Sequence, residues 1–178
     1  MPSIFSFVLT ASLLLDQTPT ASGRLTFTAP EGWKPRPASS TMRVAEFVLP
    51  KVDGDPEDAD LVVYYFGASQ GGDVEANINR WLGQMQQPDG RPSREVATRA
   101  AETVNGLRIT MLELPGTYVA EIRPGATEHF NKPHFRMRTV VISTPAGPYF
   151  LKMLGPDKTV RKWSDSFATF VKTIRFEQ

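Results

Sequence analysis

Residues 94–114, REVATRAAETVNGLRITMLEL, decide the fold class. Their apolar positions follow no 3.6-residue stripe, and Asn105-Gly106 at the centre is the strongest short signal for a two-residue hairpin turn. Residues 94–103 and 107–114 therefore read as two antiparallel strands. The pattern continues downstream: residues 135–144 read as a strand, the Pro145-Ala146-Gly147 turn follows, and residues 148–154 form another apolar strand. Parallel strands would need a crossover helix between them, and no helical stripe occurs between the first helix and Gly155.

Working upstream, residues 24–29 alternate Leu25 and Phe27 against Thr26 and Thr28, a first strand. Pro30-Glu31-Gly32-Trp33 turns the chain, and residues 35–41, with Pro35, Pro37 and two serines, read as loop. Residues 42–49 form a second strand. Residues 61–66 are an unbroken apolar run rich in Val and Tyr, as in a central strand covered on both faces. Asp73 caps a helix predicted to run to about Gln87, with Val74, Ile78, Trp81, Leu82 and Met85 on one stripe. Gly155-Pro156-Asp157 opens a closing helix whose apolar face holds Val160, Trp163, Phe167, Phe170, Val171 and Ile174. This order predicts an α+β fold: a mainly antiparallel sheet of about six or seven strands sandwiched by helices.

The composition agrees. The chain has 178 residues, 40% hydrophobic and 22% charged, as in a globular protein. A net charge of +1 without a Lys/Arg cluster gives no nucleic-acid-binding surface. The absence of cysteine excludes disulfides, zinc-thiolate sites, thiol catalysis and iron–sulfur clusters, and nothing calls for a cofactor. Residues 4–15 are almost wholly apolar or small, too short a run to cross a bilayer, which takes about 20 residues. They fit the apolar core of a signal peptide, with Ala21-Ser22-Gly23 as a cleavage site, although no Lys or Arg precedes them. The expectation is a leader over 1–23 and a single α+β domain over 24–178, exported to the periplasm or beyond, with no membrane span in the mature chain.

Met42-Arg43-Val44-Ala45-Glu46-Phe47, Tyr65-Phe66-Gly67, Gly71-Gly72 and Asn77-Ile78-Asn79-Arg80-Trp81 resemble a group of exported bacterial proteins of unknown function. Gly116-Thr117-Tyr118 and the segment from Gly147 to Pro156 fit the same pattern, which spans about residues 33–176. More remotely, the layout resembles the PsbP/Mog1 fold, including the bacterial DcrB-like proteins. That resemblance implies an antiparallel sheet between helices that serves as a binding or assembly scaffold, with no shared catalytic residue to carry over.

Three motifs could carry chemistry. Gly67-Ala68-Ser69-Gln70-Gly71 matches G-x-S-x-G between a buried strand and a helix, the setting of a nucleophile elbow. Ser69 would then attack an ester, the Gln70 N–H would help hold the oxyanion, and His129 or His134 would act as base with Glu113, Glu121 or Glu128 as the acid. Against this, the strands are not joined by helices, and both histidines precede two further strands and a helix. The alternative is a Gly-rich turn into the helix. Residues 53–60 carry five carboxylates but have Asp58 and Tyr64 where an EF-hand loop wants Gly and Glu, so they read as a solvated hairpin loop. Residues 116–133 form a long, poorly patterned stretch, with Tyr118, Glu128, His129 and Phe130, and His134 just beyond, as the candidate ligand-binding loop. The expected function is a non-catalytic binding or assembly module for an unknown protein or small-molecule partner. A small serine hydrolase using Ser69 and a metal-binding protein are the alternatives.

Overall fold

The computed structural model describes residues 23–68 and 70–178, so the predicted leader and Ser69 lie outside the described residues, save for Gly23 at the leader's end. In chain order the elements are β1 (Arg24–Thr26), β2 (Lys34–Arg36), β3 (Arg43–Leu49), β4 (Ala59–Tyr65), α1 (Val74–Gly83), β5 (Met85–Gln86) and α2 (Ser93–Val96). They continue as β6 (Thr98–Val104), β7 (Leu107–Tyr118), β8 (Lys132–Ser143), β9 (Tyr149–Pro156), α3 (Asp157–Lys162), α4 (Ser164–Thr173) and β10 (Arg175–Glu177). The main sheet has eight strands in the order β2-β3-β4-β9-β8-β7-β5, with β6 also on β7; β1 and β10 form a separate pair. Every ladder is antiparallel. The protein is α+β, as its alternating patterns predict.

Both faces of the sheet are packed, and strand periodicity assigns the sides. Leu61 and Val63 on β4, Leu151 and Met153 on β9, and Val140 and Ile142 on β8 meet Val160, Phe167, Phe170 and Val171 of α3 and α4. The alternate residues Phe150, Met137, Val141, Leu112 and Leu114 meet Ile78, Trp81 and Leu82 of α1. Burial of each such side chain is worth about 1.5–3 kcal/mol, which is what holds helices on both sides.

Several boundaries depart from expectation for local reasons. Lys34–Arg36, read as loop, pairs with β3 as an edge strand, where Pro35 is tolerated. The first helix stops at Gly83 rather than near Gln87, because Met85 and Gln86 leave it to pair with Tyr118 and Thr117. Asp73 does cap it, accepting from the Ala76 N–H at 2.7 Å. Residues 93–96 form a helical turn before β6 rather than its first residues. The closing helix breaks at Trp163, whose indole N–H donates to the Pro50 carbonyl at 2.9 Å and so ties the chain to the β3–β4 connection. Asn105 and Gly106, with φ of 49° and 81°, form the predicted hairpin turn. The stretch after Gly116 is largely ordered hairpin: Phe130 N–H donates to the Ala120 carbonyl at 2.9 Å and Ile122 N–H to that of Glu128 at 3.1 Å.

Candidate binding cleft

A cleft of about 850 Å³ opens at one end of the main sheet. Its walls are the loop of residues 54–57, the turn at Gln87-Pro88, Pro115-Gly116 of β7, residues 131–136 leading into β8, Pro156 at the end of β9, and α3. Five prolines line it, at 56, 88, 115, 133 and 156, around Phe135. Proline has no N–H to donate and a fixed φ, so this rim is apolar and stiff. Gly116, at φ 152°, is required where β5 crosses: a Cβ there would stand 2.8 Å from the Gln86 carbonyl oxygen.

Apart from the exposed Lys158, the cations around the cleft are tied to carboxylates. Arg136, with a side chain 8% exposed, donates from Nε to Asp157 at 2.7 Å and from Nη1 to Glu113. Arg138 meets the other Glu113 oxygen at 2.9 Å, and Arg161 the other Asp157 oxygen at 2.8 Å. Burial pushes the Asp157 carboxyl up, but hydrogen bonds from Arg161 and Arg136 outweigh it and hold the group below the usual carboxylate range. The acidic loop is engaged in the same way. Asp55 accepts from the Thr159 N–H at 2.9 Å and its hydroxyl at 2.6 Å, Glu57 binds the Lys132 ammonium at 2.7 and 2.8 Å, and Asp58 accepts from the Lys51 N–H at 2.9 Å.

The residues of the candidate ligand-binding loop do not converge on one point. His134 lines the cleft, in a left-handed backbone conformation with φ 59°. His129 and Glu128 sit near the exposed hairpin tip, where the His129 ring stands 3.0 Å from the Thr127 carbonyl. Tyr118 and Phe130 do come together, stacked at 5.4 Å, with the Lys132 ammonium 5.2 Å from the Phe130 ring. Among the described residues no three His, Asp or Glu side chains are grouped to hold a metal ion, and no helix is long and apolar enough to cross a membrane.

Sequence reading missed charges seated inside strands, among them the buried Glu46 and the partly exposed Lys152. Glu46 is 2% exposed and receives Arg36 at 3.0 and 3.2 Å, Arg43 at 3.1 Å, and the Ser39 N–H and hydroxyl at 2.6 and 2.8 Å. Burial pushes its pKa up, but the donors from Ser39 and Arg36 and the charge of Arg43 win and hold it at about 2. Lys152 projects from the middle of β9 onto the α1 side of the sheet. In both cases the available signal was a charged residue interrupting an apolar strand, in RVAEFVL and YFLKMLGP.

No protein-family model and no curated protein sequence matches the chain. Among solved structures, it is similar to LpqN, involved in cell envelope biogenesis of Mycobacterium tuberculosis. The identity is 12% over 91% of this chain and 88% of that one, with a TM-score of 0.54, which shows a shared fold. It is also similar to PA94, a Pseudomonas aeruginosa protein of unknown function, at 16% identity over 88% of this chain and 99% of that one, with a TM-score of 0.48.

Proposed function

We propose that the protein is an exported, non-enzymatic binding or assembly module of the bacterial cell envelope, of PsbP/Mog1-like architecture, that engages its ligand or partner at the sheet-end cleft. The observation that carries this reading is the make-up of the cleft. It combines a stiff, proline-lined apolar wall with Lys132, Arg136 and Arg161, each already held by carboxylates of the same chain. Groups committed in this way shape and orient a surface; they are not poised to take or give a proton. The shared fold with LpqN supports the envelope setting, as does the signal-like segment over residues 4–15.

The cleft is tested with the neutral apolar dye N-phenylnaphthylamine. Emission should rise with the native protein and fall several-fold in Lys158→Trp, which fills the mouth from an exposed position on α3. Equal emission from both proteins would remove the cleft from the reading. A fluorophosphonate probe checks the non-enzymatic part: no covalent labelling is expected, and labelling that disappears in Ser69→Ala would establish the hydrolase instead.

A further inference from the structure

Away from the cleft, on the α1 side of the sheet, two cationic side chains have only neutral acceptors among the described residues. The Lys152 ammonium is held by one neutral group, the Gln84 side-chain oxygen at 2.5 Å, and stands 5.1 Å from the Tyr118 ring centre. Thr139, its direct partner across the β8–β9 ladder, has a buried hydroxyl with no hydrogen-bond partner among the described residues. Arg80, in the last turn of α1, donates to the neutral Asn77 and enters no ion pair among the described residues. The carboxylates on the neighbouring strands are engaged elsewhere: Glu46 on β3 by Arg36, Arg43 and Ser39, and Asp60 on β4 by Arg36 at 3.1 Å. Tyr118 on β7 stands beside the amine, and it, Gln84 and Lys152 all remain partly exposed, so the position is not sealed from solvent.

We propose that Lys152, beside the Tyr118 ring, and Arg80, one turn before Gln84 on α1, form a recognition site for a phosphate-class oxyanion. Two cations without a counter-ion match the charge of a phosphate dianion, and the ammonium still has N–H donors to give it. The partial negative charge at the C-terminal end of α1 opposes an anion only weakly and is screened within a turn, whereas two full cations attract it. Burial and the positive charge of Arg80 hold the Lys152 amine down at about 8.

The test titrates inorganic phosphate at constant ionic strength, with chloride as the control, into the native protein, Lys152→Met and Gln84→Glu. Gln84→Glu leaves Lys152 in place and gives it a carboxylate of the protein's own. For the native protein, phosphate should raise the melting temperature and move the Lys152 titration, followed by NMR of its side chain, upward from about 8. Neither variant should show a phosphate-dependent melting shift. Phenyl phosphate should produce a larger shift than phosphate where the Tyr118 ring takes part in recognition, and an equal shift restricts the site to the oxyanion. No response of the native protein at tens of millimolar phosphate would overturn the proposal. So would a response that survives in Lys152→Met or in Gln84→Glu.

Discussion

Glu46 and Lys152 stand on the same row of the sheet, with Val62 of β4 paired to each, yet the chain treats them in opposite ways. Glu46 receives five donor atoms from Arg36, Arg43 and Ser39, whereas Lys152 receives one neutral acceptor. A buried charge is tolerated when its partners come with it and is costly when they do not. The carboxylate is therefore part of what holds the fold: it pins residues 36–43 across the outer strands. The amine does nothing comparable for the fold, and its unmet donors face a partly open position. The difference separates a structural ion from one available for recognition.

Removing Glu46 should break the comparison most severely. Glu46→Ala leaves Arg36 and Arg43 beside a vacant buried position, and loss of one member of a buried ion network costs about 3 kcal/mol or more. Urea unfolding read by tryptophan fluorescence would measure it. A cost under about 1 kcal/mol would mean that Glu46 behaves like an exposed surface pair.

The next effect is smaller, and stability rises with pH at both sites, because the ionised Glu46 stabilises the fold while the ionised Lys152 destabilises it. Glu46 is held at about 2 against an ordinary 4.5, so its contribution is complete above pH 4.5 and is lost as pH falls toward 2. Lys152 is held at about 8 against 10.5, so between those values the unfolded chain binds more protons and stability rises with pH. Below pH 8 the burial penalty is constant. Lys152→Met should therefore stabilise the protein at pH 7 by about 1–2 kcal/mol and flatten the alkaline rise. Stability curves for the native and variant proteins from pH 6 to about 10 would show this. A destabilised variant would mean that the amine is part of the fold after all.

The fold was legible because its cues are local. Asn105-Gly106 adopts the two positive φ values that its turn requires, Asp73 caps α1, and the stripes of α1 and α4 face the sheet as their spacing demands. Cues that depend on pairing were not legible. Met85 continues the α1 stripe in sequence yet lies in β5, because Tyr118 is waiting across the ladder. Trp163 fits the stripe of the closing helix but interrupts it, because its N–H reaches Pro50. The cleft has no local signature, since its walls run from Gly54 to Arg161 and meet only when the strands align. Lys152 announced itself as a charge in an apolar strand, but only the register shows that its neighbours are Val62 and Thr139 and that neither can neutralise it.

The smallest test asks how redundant the cage around Glu46 is. Ser39 gives it two hydrogen bonds, one from the backbone and one from the hydroxyl, and Ser39→Ala removes only the second. The backbone N–H, both contacts from Arg36 and the one from Arg43 persist, so the carboxylate stays paired and only one net hydrogen bond is lost. Its cost should be about 1 kcal/mol, well below that of Glu46→Ala, and the acid limb should move slightly upward because one of the causes of the low value is gone. Two-state denaturation at pH 7 and an acid titration would read both effects. If Ser39→Ala cost as much as removing Glu46, the hydroxyl alone would be holding residues 37–42, and the carboxylate would be an accessory of the loop instead of its anchor.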